Sequence, residues 1–392
     1  MSKILVVNSG SSSVKFQLFE MKARAHYLLC KGMAERIGEQ SSYVVYQKAN
    51  HTIRRSVYIK NHRQAIGYLV AMLQDTKIGV IEDINVIQGI GHRVVHGGEE
   101  FKAPCIIHPA VIKRLTKYIE LAPLHNPPNI EGIKVCHELF PELPQVAVFD
   151  TSFYHTIPDY AYMYALPYRF YKKHLIRRYG FHGTSHGFVA GEAAKILKKP
   201  LHKLRLISCH LGNGASITAV KFGKAVDTSM GFTPLEGLIM GTRSGDIDPS
   251  VIFYLERKLK YSSKTINEIL NKHSGLLGIS GISNDMRDLM QKYKTSQRAR
   301  LAAEMFIYRI RKYIGAYAVV LGKVDAIIFT GGIGENQPFI RRKICEGLSH
   351  ILNNEFIKFL VIPTNEELMI AKAAYRLVKS PHNMNMRIGR YI

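Results

Sequence analysis

Two arginines lie in glycine-rich stretches that have no regular periodicity. Arg93 is in "GHRVVHGG" (Gly91–Gly98) and Arg243 is in "GFTPLEGLIMGTRSGDIDP" (Gly231–Pro249). A guanidinium forks onto a carboxylate or a phosphate, so such arginines are natural anion clamps. Together with His182 they could neutralise a phosphoryl group in transfer between two anions, a reaction catalysed mostly by positioning and charge stabilisation. A surface salt bridge explains either arginine alone equally well.

The segment around His182 also resembles two other kinds of site. "GTSHG" (Gly183–Gly187) matches the G-x-S-x-G elbow of serine hydrolases, but an elbow follows a strand, and the preceding segment is basic and broken by glycine. His182 and His186 have the i, i+4 spacing of a helical zinc pair. Gly180 and Gly183 argue against a helix here, and the H-E-x-x-H glutamate is missing. We therefore disfavour both a hydrolase and a zinc site.

Three glycine turns follow apolar runs that are typical of buried strands. "LVVNSGSSSVKF" (Leu5–Phe16) fails the P-loop pattern, and the period-two alternation after its turn predicts a second strand, hence a hairpin. "LISCHLGNGASITAV" (Leu206–Val220) has the same design, and "AIIFTGGIGEN" (Ala326–Asn336) carries a third turn. Two hairpins of one design predict a duplicated domain with a phosphate-binding turn in each copy.

Strand and helix patterns alternate along the chain, which favours an α/β fold. A length of 392 residues predicts two domains. The last helix is predicted to start in "PTNEELMIAKAAYRLV", where Thr364 and Glu367 have capping-box spacing, and to stop before Pro381. The tail after Pro381 has no usable periodicity.

The chain is strongly basic, with 54 Lys+Arg, 30 Asp+Glu and a net charge of +24. Such an excess would suit a nucleic acid or an anionic surface. However, the basic residues are scattered, and the densest clusters, Lys172–Arg178 and Arg341–Lys343, are short and lack interleaved aromatic residues that could stack on bases. We therefore disfavour a nucleic-acid partner, although a site for anionic substrates could use part of the charge.

The five cysteines are far apart in the sequence and form no C-x-x-C pair, which argues against a zinc site or a disulfide framework. The apolar runs are too short for a secretory signal or a membrane span. These features predict a cytoplasmic protein with reduced thiols and no membrane partner.

A series of long stretches, in order along the chain, resembles the acetate kinase family: "NSGSSSVKF", "GHRVVHGG", "VFDTSF", "RRYGFHGTSH", "HLGNGAS", "GFTPLEGLIMGTRSGDIDP", "SGLLGISGISNDMRD", "FTGGIGEN" and "IPTNEEL". The resemblance implies an α/β fold of two duplicated ribonuclease H-like (actin/hexokinase/Hsp70-type) domains that flank an active-site cleft. Domain I would comprise residues 1–150 and be completed by 368–392. Domain II, residues 151–367, would bind the nucleotide. Hinges are expected near residues 150–152 and 363–367.

The same resemblance implies reversible phosphoryl transfer from ATP to acetate, giving ADP and acetyl phosphate, by a homodimer that needs Mg²⁺ or, in its place, Mn²⁺. Asn8 and Glu366 would serve the metal. The implied catalytic residues are Asp150, His182 and Arg243, and the implied acetate-binding residues are Arg93, Val95, Leu124, His125 and Pro234. The implied nucleotide-binding residues are Lys15, His210, Leu211, Gly212, Asn213, Gly214, Asp285, Met286, Arg287, Gly332, Ile333, Gly334, Glu335 and Asn336.

Two of these roles need a physical argument. Asp150 is the family's acid/base, yet a carboxylic acid titrates near 4, so acetate is already ionised at neutral pH and needs no base. We therefore expect Asp150 to orient Arg243 or metal-bound water. Of the adjacent Glu366 and Glu367, we assign the metal to Glu366, because the predicted capping box gives Glu367 a local role.

Three alternatives remain. Val95 narrows the pocket expected around the acetate methyl group, but one methylene is worth only about 1–3 kcal/mol, so a propionate or other short-chain carboxylate kinase is possible. An ATP-driven conformational switch shares the fold, although the sequence has no peptide-binding domain after the nucleotide module. A nucleic-acid binder is suggested by charge alone. Ser152 and Tyr154 depart from the family pattern without touching a residue assigned above.

Overall fold

The computed structural model describes residues 1–348 and 357–379, so the tail after Pro381 lies outside the described residues. The strands in the described residues are β1 Ser2–Ser9, β2 Ser13–Met21, β3 His26–Glu35, β4 Tyr43–Lys48, β5 His51–Ser56, β6 Ile87–Val94, β7 Cys105–Ile106, β8 Gln145–Phe149, β9 Arg205–Leu211, β10 Ala215–Lys221, β11 Lys224–Thr228, β12 Ala326–Thr330 and β13 Lys358–Val361.

The helices in the same described ranges are α1 His62–Leu73, α2 Pro109–Thr116, α3 Asn126–Leu139, α4 Asp159–Tyr162, α5 Arg169–His174, α6 Gly183–Ile196, α7 Ser250–Leu259, α8 Ser263–Lys272, α9 Gly275–Ser280, α10 Met286–Gln291, α11 Gln297–Leu321, α12 Gly331–Asn336, α13 Pro338–Glu346 and α14 Glu366–Lys379. None of these helices is both long enough and apolar enough to cross a membrane.

The chain divides into two compact units. Unit 1 comprises Met1–Ser152 and the chain from Asn365 onward, and unit 2 comprises Phe153–Thr364. The sheet of unit 1 has the strand order β5-β4-β3-β2-β1-β6-β8-β7. Strands β1, β2 and β3 pair antiparallel, whereas β1, β6 and β8 run parallel. The first predicted glycine turn therefore joins two antiparallel strands, as a hairpin should.

The sheet of unit 2 has the order β11-β10-β9-β12-β13. Its first three strands pair antiparallel, and β9, β12 and β13 run parallel. This arrangement repeats the five strands β3-β2-β1-β6-β8 of unit 1 in both order and sense. The repeat confirms the predicted α/β duplication, and the second glycine turn joins β9 to β10 as the counterpart of the first.

Helix α14 completes unit 1 by packing on β1, β6 and β8. Glycines in β6 permit the close approach, because a Cβ atom on Gly91 would lie 2.7 Å from Ile370 Cγ2. The predicted capping box of this helix is wrong. Asn365 Oδ1 accepts the hydrogen bond from the Leu368 amide at 2.9 Å, whereas the Thr364 hydroxyl is bound to the Ser185 hydroxyl at 2.7 Å.

The segment from Gly183 to His186 is also helical where the sequence argued against a helix. Gly183 opens α6, and His182 precedes it in the left-handed region with φ 60°. The entropic cost of glycine, about 1 kcal/mol, applies to a helix interior, and Gly183 is at the first helical position. No strand precedes this helix in the described residues 175–182, so the hydrolase elbow still lacks its context.

Candidate active site

Four predicted residues of unit 1 gather at one edge of its sheet. Asn8 is near the end of β1, Arg93 is near the end of β6, and Asp150 follows β8 directly. These three strands are parallel neighbours, so their carboxyl ends lie side by side, where open α/β sheets bind ligands. Glu366 joins them as the first residue of α14.

Arg93 is bound by two carboxylates. Its Nε and Nη2 atoms donate to Asp150 Oδ2 at 3.0 and 2.6 Å, and its Nε lies 3.8 Å from Glu366 Oε2. Asp150 is fully buried. The sequence predicted that Asp150 would orient Arg243 or metal-bound water, but in the structure it holds Arg93.

This cluster has more negative than positive charge, which suits a cation. Burial raises the pKa of Glu366, Arg93 opposes the rise, and Asp150 adds to it. Asn8 and Glu366 supply an amide and a carboxylate oxygen, the donors that Mg²⁺ prefers when water and substrate phosphates complete its shell. Within the described residues, no group of three or more His, Cys, Asp or Glu could hold a metal ion alone. The donor set therefore fits a metal that is shared with a phosphate substrate.

Two buried asparagines that sequence reasoning missed connect this edge. Asn129 Oδ1 accepts from the Val95 amide at 3.0 Å, and its Nδ2 donates to the Ser9 carbonyl at 2.6 Å. Asn126 binds the amide and the carbonyl of His96 at 3.1 and 3.0 Å. Helix α3 thereby ties the turn after β1 to the segment after β6. The signal was "NPPN", which places two asparagines three residues apart on one helix face.

The remaining predicted residues of unit 1 differ in exposure. Lys15 is exposed on β2, where it pairs with Asn8 across the hairpin. Val95 is buried, whereas the side chain of Leu124 is 58% exposed. Leu124 and His125 immediately precede α3, and His125 is its N-terminal flanking residue. Val95, Leu124 and His125 lie in or next to the segments that contain or contact Asn126 and Asn129.

In unit 2, His182 lies beside the second hairpin. Its Nδ1 is 2.9 Å from Ser216 Oγ on β10, and its ring stacks on that of His210 with centroids 4.3 Å apart. A left-handed backbone at a residue other than glycine costs of order 1–3 kcal/mol, a strain that tends to occur at functional sites. The fold thus holds the His182 ring in one orientation.

Arg243 converges on the same hairpin. A Cβ atom placed on Gly214 would lie 3.3 Å from His182 Nε2 and 3.8 Å from Arg243 Nη1, so both groups border this turn. Arg243 Nη1 donates to the Pro234 carbonyl at 3.1 Å. In the described part of the chain its guanidinium has no carboxylate partner, and burial lowers its pKa. A half-buried cation without a counter-charge is suited to an anionic ligand.

The second and third glycine turns are neighbours. A Cβ atom on Gly212 would lie 3.9 Å from the Gly332 amide nitrogen. Gly331, with φ 76°, permits a close approach, because a Cβ atom there would be 2.8 Å from the Leu211 carbonyl oxygen. Glu335 Oε1 fixes this region by accepting from the Gly331 and Thr364 amides at 2.9 and 3.2 Å. The two turns thus lie side by side at the ends of two parallel strands, β9 and β12.

Other predicted nucleotide-binding residues also have structural roles. Asn213 Oδ1 accepts from Asn284 Nδ2 at 2.9 Å. Asp285 caps α10 by accepting from the Arg287 amide and pairs with the exposed Arg287 side chain at 2.6 Å. The side chains of Met286 and Leu211 are buried, as is that of Ile333, which leaves these three residues only backbone groups to offer a ligand. His210 Nδ1 is 2.8 Å from Ser185 Oγ. Gly334 lies in α12. Asn336 Nδ2 donates to the Gly332 carbonyl at 3.0 Å.

Comparison with known proteins shows which family the chain belongs to. The chain is 51% identical to the acetate kinase of Caldanaerobacter subterraneus subsp. tengcongensis over 399 residues, covering 96% of this chain and 99% of that protein. The crystal structure of Porphyromonas gingivalis acetate kinase matches with a TM-score of 0.90 at 42% identity, covering 96% of this chain and all of that one. A propionate kinase structure from Francisella tularensis matches with a TM-score of 0.89 at 45% identity and the same coverage. The sequence model described as the acetokinase family matches residues 3–354, and the chain belongs to that family.

Proposed function

We propose that this protein is a kinase that reversibly transfers the γ-phosphoryl group of ATP to acetate, giving ADP and acetyl phosphate. Its family membership and its relatives named acetate kinase support this reaction. The observation that carries the proposal is the half-buried guanidinium of Arg243, which has no carboxylate partner in the described residues and borders the Gly214 turn beside His182 Nε2. Such a group would stabilise the charge that develops on a phosphoryl group in transfer.

Arg93 is assigned to the carboxylate substrate. Its Nε and Nη2 are held by Asp150, so the guanidinium has a fixed orientation in which its remaining N–H groups can bind an anion. Acetate is already ionised at neutral pH and attacks without a base. Asp150 is therefore a positioning residue that acts through Arg93.

Asn8 and Glu366 would hold Mg²⁺, or Mn²⁺ in its place, and the metal would supply positive charge to the phosphate oxygens of the nucleotide. The turns at Gly212–Gly214 and Gly331–Asn336 would bind the nucleotide phosphates. Lys15 adds a cation on the return strand of the first hairpin. The metal is thus assigned to oxygen ligands at the sheet edge of unit 1, and the nucleotide phosphates are assigned to the glycine turns at the sheet edge of unit 2.

Acetate is the proposed substrate, and propionate is the second candidate. Val95 is buried next to the end of β6, which favours the smaller acid if the substrate methyl group lies there. The similarity to a protein named propionate kinase keeps the second candidate open. One methylene changes binding by only about 1–3 kcal/mol, so the preference should be graded.

The reaction is tested by trapping its product. Purified protein is incubated with ATP, Mg²⁺ and acetate, and hydroxylamine converts acetyl phosphate to a coloured hydroxamate. We expect acetate-dependent hydroxamate formation with matching ADP release, and its loss in Arg243→Ala. ADP release without a trappable product, for every short-chain acid tried, would favour an ATP-driven switch. A salt-sensitive shift of nucleic acid at nanomolar protein would instead revive a nucleic-acid binder.

Asp150→Asn separates positioning from base catalysis. We expect kcat to fall by about tenfold or more, because Arg93 loses a charged partner, while the shape of the pH–rate profile is unchanged. The measurement is kcat between about pH 6 and 9, together with the Mg²⁺ dependence. Loss of the acidic limb with unchanged Mg²⁺ affinity would identify Asp150 as the base.

We also propose that the enzyme is a cytoplasmic homodimer. None of the five cysteines, all of which lie in the described residues, forms a disulfide, as expected of a reducing compartment. Helix α7 has no buried residue and exposes Val251, Phe253 and Tyr254, a self-complementary candidate for a two-fold interface. Light scattering of Phe253→Glu against wild type tests this assembly, and a monomeric wild type would refute it.

A further inference from the structure

We propose that Ser208, His186 and Ser216 form a hydrogen-bond relay that holds His182 as a neutral imidazole with its proton on Nε2. The kinetic consequence rests on the proposed function, whereas the protonation state of His182 is a property of the free protein. His186 and Ser216 are thus positioning residues that act through His182.

The relay is a continuous line of short contacts inside unit 2. Ser208 Oγ is 2.8 Å from His186 Nδ1, and His186 Nε2 is 2.8 Å from Ser216 Oγ. Ser216 Oγ is in turn 2.9 Å from His182 Nδ1. Ser208, His186 and Ser216 are fully buried, so water does not compete for these bonds. Two adjacent strands and the start of α6 supply all four groups.

His186 is neutral, because burial lowers its pKa well below the usual value and the nearby His210 adds to the effect. A neutral imidazole has one N–H donor and one acceptor nitrogen, and a hydroxyl has one proton. Because the Ser216 hydroxyl is fully buried, its own proton should also be bonded within the relay, and the whole relay can then run in only two directions. In one direction, Ser208 donates to His186, His186 donates to Ser216, and Ser216 donates to His182. In the other direction, His182 donates to Ser216, Ser216 donates to His186, and His186 donates to Ser208.

Ser208 decides between these two directions. In the part of the chain that the structure describes, its Oγ makes a single hydrogen bond, the one to His186 Nδ1. If Ser208 were the final acceptor, its own hydroxyl proton would be buried without an acceptor, which is unfavourable. If Ser208 donates, every proton in the relay has a partner. Donation from Ser208 is therefore preferred.

The consequence for His182 follows directly. Its Nδ1 accepts from Ser216, so the proton of the neutral ring is on Nε2. An imidazolium would need a proton on Nδ1 as well, which would force the unfavourable direction. His182 Nε2 is the atom that borders Gly214 beside Arg243 Nη1, so an N–H donor and a guanidinium serve the same turn. The relay thereby supplies a donor for a phosphoryl oxygen without adding a second charge.

The protonation state is measured by two-bond ¹H–¹⁵N correlation spectra of protein labelled with ¹⁵N-histidine. The His182 signals are assigned by their loss in His182→Gln. We expect a protonated Nε2 and an unprotonated Nδ1 in the wild type near neutral pH. Ser216→Ala and Ser208→Ala should each give a mixture of tautomers, whereas Ser216→Thr should keep the wild-type state. A wild-type ring with a proton on Nδ1, alone or with Nε2, would overturn the relay.

A matched control and a kinetic readout separate the relay from stability. Ser229 is equally buried and its Oγ accepts from the Ile217 amide on β10, but it contacts no imidazole of the relay. Ser229→Ala should leave the His182 tautomer unchanged. Ser216→Ala should lower kcat by about tenfold or more with little change in the KM for ATP, because a transition-state donor is lost. An equal loss in Ser216→Thr would contradict this role.

The two proposals can fail separately. A wild-type protein with the Nε2–H tautomer that forms no acyl phosphate would refute the kinase and leave the relay standing. An active kinase whose His182 is protonated on Nδ1 would refute the relay alone.

Discussion

Val95 is the residue at which substrate choice can be tested most directly. It is 5% exposed, and Asn129 holds its amide. Val95→Ala removes two methyl groups where we expect the methyl group of acetate, so propionate should gain more than acetate. We expect the ratio of KM for propionate to KM for acetate to fall by about tenfold, at the lower end of the roughly 10–200-fold worth of one methylene.

The matched control is Val94→Ala. Val94 is the last residue of β6, is fully buried, and belongs to the core cluster that contains Phe101 and Leu115. It should lose similar stability without changing the KM ratio. An unchanged ratio in Val95→Ala, or an equal change in Val94→Ala, would remove Val95 from the substrate pocket.

At the residue scale, the sequence identified candidate site residues but did not show which of them contact each other. Arg93, Asp150 and Glu366 were each predicted from a local pattern, yet they are far apart in the chain. Nothing local distinguishes Arg93 from Arg243 as the partner of Asp150, because both are arginines in glycine-rich loops. The parallel pairing of β6 with β8 brings Arg93 next to Asp150. Asn129 was missed because the spacing in "NPPN" does not show which distant backbone groups the asparagine amides bind.

The β4–β5 hairpin allows a stability test at the scale of one element. Ala49 lies in its turn with φ 48° and is exposed, so its side chain contributes strain but no packing. Ala49→Gly should stabilise the protein by about 1 kcal/mol, because a Cβ atom in the left-handed region costs roughly 1–2 kcal/mol and glycine loses some entropy on folding. Urea unfolding measures the change.

The control for this prediction is Ala23→Gly. Ala23 is also exposed in a strand connection of unit 1 but does not have a positive φ. There glycine should be neutral or destabilising. Equal effects at the two positions would show that backbone strain at Ala49 is not the cause.

His92 on β6 makes unit 1 sensitive to acid. Burial lowers its pKa from 6.5 to about 4, and the hydrogen bond to Gln145 Oε1 at 2.7 Å only partly opposes this. The folded state thus binds fewer protons than the unfolded state between these values. The stabilisation is complete above about pH 6.5 and is lost as the pH falls toward 4. Between about pH 7 and 5 the loss is about 2 kcal/mol.

His92→Gln should therefore flatten the pH dependence of the unfolding free energy over this interval. Urea unfolding at the two pH values gives the difference between wild type and variant. His51→Gln, at an exposed position of the same unit, should keep the wild-type slope. A wild-type slope in His92→Gln would show that His92 is not the titrating group.

At the element scale, periodicity predicted the two hairpins, because the alternation of apolar and polar residues is local. It failed at helix ends. Gly183 argues against a helix, yet it occupies the first helical position, where the interior cost of glycine does not apply. Asn365 replaced Thr364 as the cap because Ser185 and Glu335 bind Thr364 instead. Helix ends depend on tertiary partners that a local pattern does not contain.

The net charge of +24 is a property of the whole molecule and should act on substrate capture. ATP carries several negative charges and acetate carries one. We expect kcat/KM for ATP to fall severalfold as NaCl rises from about 0.01 to 0.15 M, where the Debye length shortens from roughly 30 to 8 Å. Acetate is the internal control and should show a weaker dependence. Equal slopes for both substrates would argue against electrostatic steering.

Part of this charge is already used within the chain. The Lys172 ammonium lies 5.4 Å from the centre of the Tyr168 ring, and the Arg177 guanidinium lies 3.4 Å from that of Tyr162. Sequence showed no aromatics within this basic cluster, and the rings come from the residues before it. These rings pack against cations of their own chain. They therefore differ from the exposed aromatic side chains on which single-stranded nucleic acids stack their bases.

Helix α14 has a consequence for synthesis on the ribosome. Strands β1 to β8 emerge first, yet their sheet lacks the helix that covers β1, β6 and β8 until the chain has passed residue 379. Unit 2 lies wholly within Phe153–Thr364 and can finish folding earlier. The amino-terminal half is therefore the last to mature, and Glu366, the proposed metal ligand, arrives with the helix that completes it. Until then the nascent chain must protect an open apolar sheet, so chaperone demand should be set by the first half of the protein.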